Sequence, residues 1–157
     1  MPDTVILKDC DPMFKFEVAG RPGGEHIKAC FACGVCTAGC PISEIDEEYS
    51  PRAIIRMIML GMKKEVLSSD YIWLCALCYS CYANCPQDVR FCTVMRALRS
   101  MAVEEGYVHP SFLKTLDAIN LHSQKVRRNA LKQVVEKRKE EGSKIDVEEL
   151  FLSAAKG

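Results

Sequence analysis

Eight of the ten cysteines in this chain fall in one pattern written twice. The first copy is Cys30-Phe-Ala-Cys33-Gly-Val-Cys36-Thr-Ala-Gly-Cys40-Pro41, and the second is Cys75-Ala-Leu-Cys78-Tyr-Ser-Cys81-Tyr-Ala-Asn-Cys85-Pro86. Both read C-x2-C-x2-C-x3-C-P, with an alanine two positions before the last cysteine (Ala38, Ala83). Three thiolates at two-residue gaps can wrap three corners of a cubane iron–sulfur cluster. The fourth, followed by proline, points elsewhere, and where two such runs share a chain it ligates the other cluster. The spacing therefore predicts Cys30, Cys33, Cys36 and Cys85 as ligands of one 4Fe–4S cluster, and Cys75, Cys78, Cys81 and Cys40 as ligands of a second. Crossed ligation would staple the two halves of the chain through inorganic bonds.

Other uses of these thiols fit less well. A disulfide framework needs an oxidising compartment, and the chain opens without a basic-then-apolar signal segment. Zinc sites take four ligands, usually as two C-x2-C pairs; here each half supplies three close cysteines plus a fourth with proline. The expected compartment is the cytoplasm, where thiols and sulfide stay reduced. Net charge is formally zero over 157 residues, which argues against a general nucleic-acid binder. No apolar run approaches the roughly 18 residues that span a bilayer, and the longest, from Ala53 to Leu60, carries Arg56.

The elements that position the thiols read as helices. Ser50 and Pro51 are an N-cap and first-turn pair, followed by Ile54, Ile55, Ile58, Met59 and Met62 at helical spacing, with Gly61 near the end. Lys63 to Leu67 is a second short helix, and Asp70 can cap a turn through Tyr71 to Leu74. After Pro86, residues 91–105 are amphipathic, with Val94, Met95, Leu98, Met101 and Ala102 on one side and Gly106 as C-terminal cap. His109-Pro110-Ser111 opens another helix with Phe112, Leu113, Leu116 and Ile119 inward. Lys125 to Lys139 is a basic, exposed continuation, and Asp146 can cap a last helix carrying Val147, Leu150, Phe151 and Leu152, which has little core to join and offers an apolar face to a partner. At the start, Thr4 to Leu7 and Phe14 to Val18 read as a short β-hairpin, with a turn at Asp9 to Pro12, or as an extended lead-in. The expected organisation is a lead-in over 1–24, a two-cluster domain over 25–122 and a charged helical tail over 123–157.

The remaining candidates read as structural. The methionines at helical spacing are core filler, and Cys92 packs as a small apolar residue; Cys10 is unassigned. His26, His109 and His122 are isolated. Lys28, Arg52, Arg90 and Arg96 flank the motifs, where they offset cluster charge, make a solvated face or form a docking surface, the last being favoured. No catalytic constellation is present, so the chemistry left is one-electron transfer.

Two such motifs joined by a helical spacer resemble the α-helical ferredoxin domain. That domain is found in the iron–sulfur subunits of succinate and fumarate enzymes, and in the C subunits of anaerobic glycerol-3-phosphate dehydrogenase and of heterodisulfide reductase. The resemblance covers about Cys30 to Phe112. It is nearest to the heterodisulfide reductase C subunit, through the run from Cys30 to Pro41, the Ser50-Pro51-Arg52 helix start and the stretch from Trp73 to Cys81. It implies a mainly α protein holding two 4Fe–4S clusters within a hetero-oligomer. There it would relay single electrons from an A subunit with FAD and iron–sulfur clusters to a cysteine-rich B subunit with noncubane clusters, where a disulfide is cleaved. The chain has no Cys-Cys pair of that cleaving kind, so it is expected not to cleave the disulfide itself. The alternatives are the iron–sulfur subunit of a quinone-linked dehydrogenase and, from another class, a non-redox scaffold or adaptor stabilised by its metal sites.

Overall fold

The structure is a computed structural model, and it describes residues 8, 10–137 and 146–155. Regular structure among these residues is entirely helical. The chain divides into two compact units, Met1–His109 and Pro110–Gly157.

In the first unit the helices are α1 (Phe14–Ala19), α2 (Val35–Ala38), α3 (Pro41–Ile45), α4 (Pro51–Met59), α5 (Lys63–Leu67), α6 (Tyr71–Leu74), α7 (Ser80–Ala83) and α8 (Phe91–Glu104). A single 3-10 turn, Ile27–Ala29, leads into the first motif. The expected hairpin is not formed. Phe14 to Val18 alternates in hydrophobicity, but the run folds as α1, because Phe14 and Val18 at i and i+4 both bury completely. Phe16, the residue that suggested alternation, stays 45% exposed, with the ammonium groups of Lys15 and Lys28 over its ring at 5.3 and 5.1 Å. A helix satisfies its own backbone where a strand would need a partner. The other proposed strand, Thr4 to Leu7, lies outside the described residues.

Helix α4 starts and stops as its sequence dictates. The Ser50 hydroxyl accepts from the Ala53 N–H at 3.3 Å and Pro51 occupies the first turn. At the other end the N–H groups of Gly61 and Met62 donate to Ile58 O and Met57 O, the paired bonds of a Schellman cap. Gly61 sits at φ +81 and its backbone abuts Asp11, whose N–H donates to Gly61 O at 2.7 Å. Helix α8 ends in the same way, with Gly106 at φ +78 and Tyr107 N–H donating to Ala102 O.

Helix α8 is the centre of the unit and packs against α1, α5, α6 and α7. Val94, Met95, Leu98, Met101 and Ala102 are fully buried, and Ile54, Ile55, Met57 and Ile58 of α4 join the same core. One charged residue is buried among them: Arg99, 4% exposed. Its Nε donates to Ile72 O at 2.7 Å, and its Nη2 donates to Trp73 O at 3.1 Å and Cys75 O at 2.8 Å. These carbonyls are the orphan acceptors at the end of α6, so a buried cation meets the negative pole of a helix. Arg99 thereby ties the entrance of the second cysteine run to the core.

In the second unit, α9 (Ser111–Lys137) runs through positions 122 and 123 without a break and packs against α10 (Val147–Ala155). Phe112 and Ile119, expected inward, are 40% and 57% exposed, while Leu113 and Leu116 are half-buried. Asp146 caps α10 as expected, accepting from the N–H groups of Glu148 and Glu149. The last helix does have a surface to join: Ala130 and Ala154 are buried, and Asn129 Nδ2 donates to Ala154 O at 3.4 Å. Small residues let the two helices approach, while Val147 and Leu152 remain exposed.

Replacing Arg99 by methionine keeps the bulk and strips three carbonyls of their donor. An orphaned buried acceptor costs about 1–3 kcal/mol, so Arg99→Met is expected to destabilise the protein by about 3 kcal/mol in anaerobic denaturant unfolding. A loss under about 1 kcal/mol would mean that water takes over the three carbonyls.

Candidate metal centre

The two cysteine runs fold alike. Ala32 and Leu77, each two residues past the first cysteine of its run, sit at φ +59 and +51; Gly34 and Tyr79, two further on, sit at +89 and +63. Helices α2 and α7 begin directly after these reversals. A non-glycine residue in left-handed geometry costs about 1–2 kcal/mol, and three such residues are held here. The return is donor placement: the Ala32 N–H donates to Cys30 Sγ at 3.4 Å, and the Leu77 N–H faces the Cys75 sulfur. After the second run Asp88 and Arg90 are also left-handed, and the Val89 N–H donates to Cys85 Sγ at 3.4 Å. Three elements thus aim backbone dipoles at sulfur.

Helices α2 and α7 pack together, and Gly39 of the first run approaches Ser80 and Asn84 of the second. The thiols gather round two cavities. Cys30, Cys33, Cys36 and Cys85 line the first, with Arg52, Ile55 and Val89 in its wall. Cys40, Cys75 and Cys78 line the second with Cys81, beside Tyr49 and Cys92. Cys81 and Phe91 reach both. Each cavity therefore takes thiols from both motifs. Cys40 is the N-cap residue of α3, in extended conformation with Pro41 behind it, and so leaves its own run. Among the described residues no disulfide joins the cysteines. Cys10 packs against the core away from these cavities, and no histidine lines either one.

The donor chemistry fits iron–sulfur clusters. Both cavities present only sulfur among the usual metal ligands, the set that cubane clusters take. Among the described residues no three His, Cys, Asp or Glu side chains close on a single ion position; the thiols stand round a space. Burial pushes the thiols of Cys36 and Cys75 above their ordinary range. Burial and the facing Cys92 push Cys81 up to about 12. Such thiols keep their protons until a metal replaces them. The Tyr49 hydroxyl is a second indication. Tyr49 is 1% exposed and its Oη has no nitrogen or oxygen partner, an arrangement that costs about 1–3 kcal/mol unless something accepts from it. It points to the sulfur side of the second cavity, against Cys75.

Three contributors to this centre were not singled out in the sequence, Tyr49, Phe91 and Arg99, and a fourth, Cys92, was read there only as packing. Phe91 and Cys92 open α8, so their place in the cavity walls follows from how that helix docks. Cys92, read as simple packing, is buried but also faces Cys81. Of the four flanking cations, Arg90 is engaged by Asp88 through two bonds of 2.9 and 2.7 Å and lies over Tyr82. Arg96 lies over Tyr79 and Lys28 over Phe16. Arg52 lies over Gly34 at the first cavity and its side chain has no hydrogen-bond or ion-pair partner among the described residues.

Comparison with known proteins agrees with the geometry. The 4Fe-4S dicluster domain family matches residues 26–89. The chain is 38% identical over 114 residues to the iron–sulfur C subunit of the CoB–CoM heterodisulfide reductase from Methanopyrus kandleri, covering 68% of this chain and 59% of that protein. It is 40% identical over 98 residues to the second iron–sulfur C subunit of the same enzyme from Methanocaldococcus jannaschii, covering 62% and 52%. It is 43% identical over 85 residues to the C subunit of the ferredoxin:CoB–CoM heterodisulfide reductase from Methanosarcina acetivorans, covering 54% and 34%. The chain thus spans between a third and three fifths of the length of these relatives. Doubled cysteine runs and helical packing thus agree with a 4Fe-4S dicluster domain over residues 26–89, and the chain is similar to heterodisulfide reductase C subunits.

Proposed function

We propose that this protein is a two-cluster electron-transfer component of a heterodisulfide-reductase-type oxidoreductase complex, working in the cytoplasm. In this reading Cys30, Cys33, Cys36 and Cys85 hold one 4Fe–4S cluster, and Cys75, Cys78, Cys81 and Cys40 hold the other. The observation that carries it is the composition of the two cavities: Cys85 joins Cys30, Cys33 and Cys36 at the first, Cys40 joins Cys75, Cys78 and Cys81 at the second, and Cys81 also reaches the first. Bound there, such clusters supply reversible one-electron transfer.

The chain's own residues do the rest. The Ala32 and Val89 N–H groups direct dipoles at Cys30 and Cys85, stabilising thiolate charge. Buried Phe91, against both cavities, and Ile55, against the first, keep water from the sulfurs. Cys33 and Cys78 are the exposed thiols, so each cavity has one side near the surface, where a partner can approach. The partners proposed are analogues of the FAD-bearing A subunit as donor and of the cysteine-rich B subunit as acceptor. They are proposed because the relatives belong to enzymes named for the CoB–CoM heterodisulfide. No helix among the described residues is long and apolar enough to cross a membrane.

Protein purified without oxygen is expected to carry about eight irons and eight sulfides per chain, four for each cubane, and to bring a flavoprotein and a cysteine-rich protein with it. Zinc, four irons or fewer, or a membrane quinone protein in their place would overturn the reading. Crossed ligation has a sharper signature. Cys40→Ser should perturb the same electron paramagnetic resonance signal as Cys78→Ser, and Cys85→Ser the same one as Cys33→Ser. If Cys40→Ser instead tracks Cys33→Ser, each run serves its own cluster and the assignment is wrong.

A further inference from the structure

Beside the first cysteine cavity lies a larger one of about 600 Å³. Its floor is apolar, with buried Met57 and Met62 and half-exposed Leu60, and its wall carries Arg52 and Arg56. These arginines stand one turn apart on the exposed side of α4, a helix without a single acidic residue. Neither guanidinium has an ion-pair or hydrogen-bond partner among the described residues, and no carboxylate lines the cavity. Gly34 and Arg52 line both this cavity and the one holding Cys30, Cys33, Cys36 and Cys85. Like charges at i and i+4 repel each other weakly, and an anionic surface facing the pair relieves that repulsion. Methionine floors adapt to apolar knobs of differing shape.

We propose that the Arg52/Arg56 face is the docking site of an acidic redox protein, which seats an apolar side chain in the methionine-floored cavity and exchanges electrons at the first cysteine cavity. This rests on the electron-transfer reading above. One electron leaves the reduced carrier and one is gained by this protein, with no bond made or broken. Charge complementarity then governs the encounter rate and its salt dependence.

The experiment uses two reductants of opposite charge on the cluster-loaded protein: an acidic bacterial ferredoxin and the methyl viologen radical cation. In the double variant Arg52→Glu, Arg56→Glu, stopped-flow reduction by the ferredoxin is expected to slow at least tenfold at low salt and to lose its salt dependence. Reduction by the viologen should hold or accelerate. Equal slowing with both reductants, or no change with the ferredoxin, overturns the docking site. Iron content and resonance spectra of the variant report separately on the clusters: their loss in the milder Arg52→Gln, Arg56→Gln variant as well would show that the pair supports the metal centre and does not dock a partner.

A separate observation concerns the second cavity. Tyr49 is buried, its hydroxyl has no hydrogen-bond partner among the described residues, and it lines the wall with Cys75 and Cys40. A phenol is a donor at neutral pH, and a hydrogen bond to a ligand sulfur is stronger in the more negative, reduced state. The geometry assigns Tyr49 as a positioning residue whose O–H donates to the Cys75 sulfur and raises the reduction potential of the cluster there. Tyr49→Phe should lower the potential of one cluster in a redox titration followed by paramagnetic resonance, with the other unmoved and iron content kept. Fluorotyrosine at position 49, a stronger donor, should shift the same potential upward. Unmoved potentials in both variants, or equal shifts of both clusters, overturn the assignment.

Discussion

Thiols that ionise to bind metal, placed where burial disfavours charge, are the constraint on which the first unit is built. Cys36, Cys75 and Cys81 all have their ionisation opposed by desolvation, and five thiols line each cavity. The chain answers with fixed dipoles and one buried cation. Backbone N–H groups turn toward Cys30 and Cys85, and Arg99 places its charge next to Cys75 while binding that residue's carbonyl. Each of these has a local cost, in left-handed backbone or in a desolvated guanidinium. Helix α8, packed on α6 and α7, holds Arg99 and the second run in place.

The same constraint explains why the motifs are repeated in backbone and not in surroundings. Both runs use a left-handed residue two places after the first cysteine and another at the fourth place, then one turn of helix. Their environments diverge. The first cavity borders α4 and the unpaired Arg52 and opens toward a methionine-floored surface. The second is walled by Tyr49, Cys92 and Phe91 and is tied to the core by Arg99. Two similar sets of thiols in unlike surroundings have a physical basis for unlike potentials.

The second unit obeys different physics. Helix α9 carries few buried side chains, and its length rests on its own hydrogen bonds and on α10 packed along it. Small residues, Ala130 and Ala154, make that contact, whereas the large apolar residues Ile119, Leu121, Val147 and Leu152 stay exposed. Apolar spacing at the start of α9 suggested an inward face over Phe112 and Ile119. Periodicity reports that a helix has an apolar side, not that the side is covered.

Local interactions were legible in the sequence because they act within a few residues. The Ser50 and Pro51 start of α4, the glycine caps at Gly61 and Gly106, the Asp146 cap and the buried stripe of α8 depend on neighbours three to five positions away. The doubled cysteine run announced iron–sulfur chemistry for the same reason, since cluster geometry is written into its spacing. Phe14 to Val18 was misread because i and i+4 burial and strand alternation make the same demand on a five-residue run, and only the core into which it packs separates them. Tyr49, Cys92 and Arg99 were illegible for a deeper reason. Each acts on a cysteine far from it along the chain or across a helix–helix contact, so its role exists only once α4, α6 and α8 are docked. The sequence by itself determined which thiols are offered in cluster spacing and where the capped helices α4 and α8 begin and end. The tertiary structure decided which thiols share a cavity, which donor faces which sulfur, and which arginines are left facing solvent, because burial and charge pairing depend on distances that only packing sets.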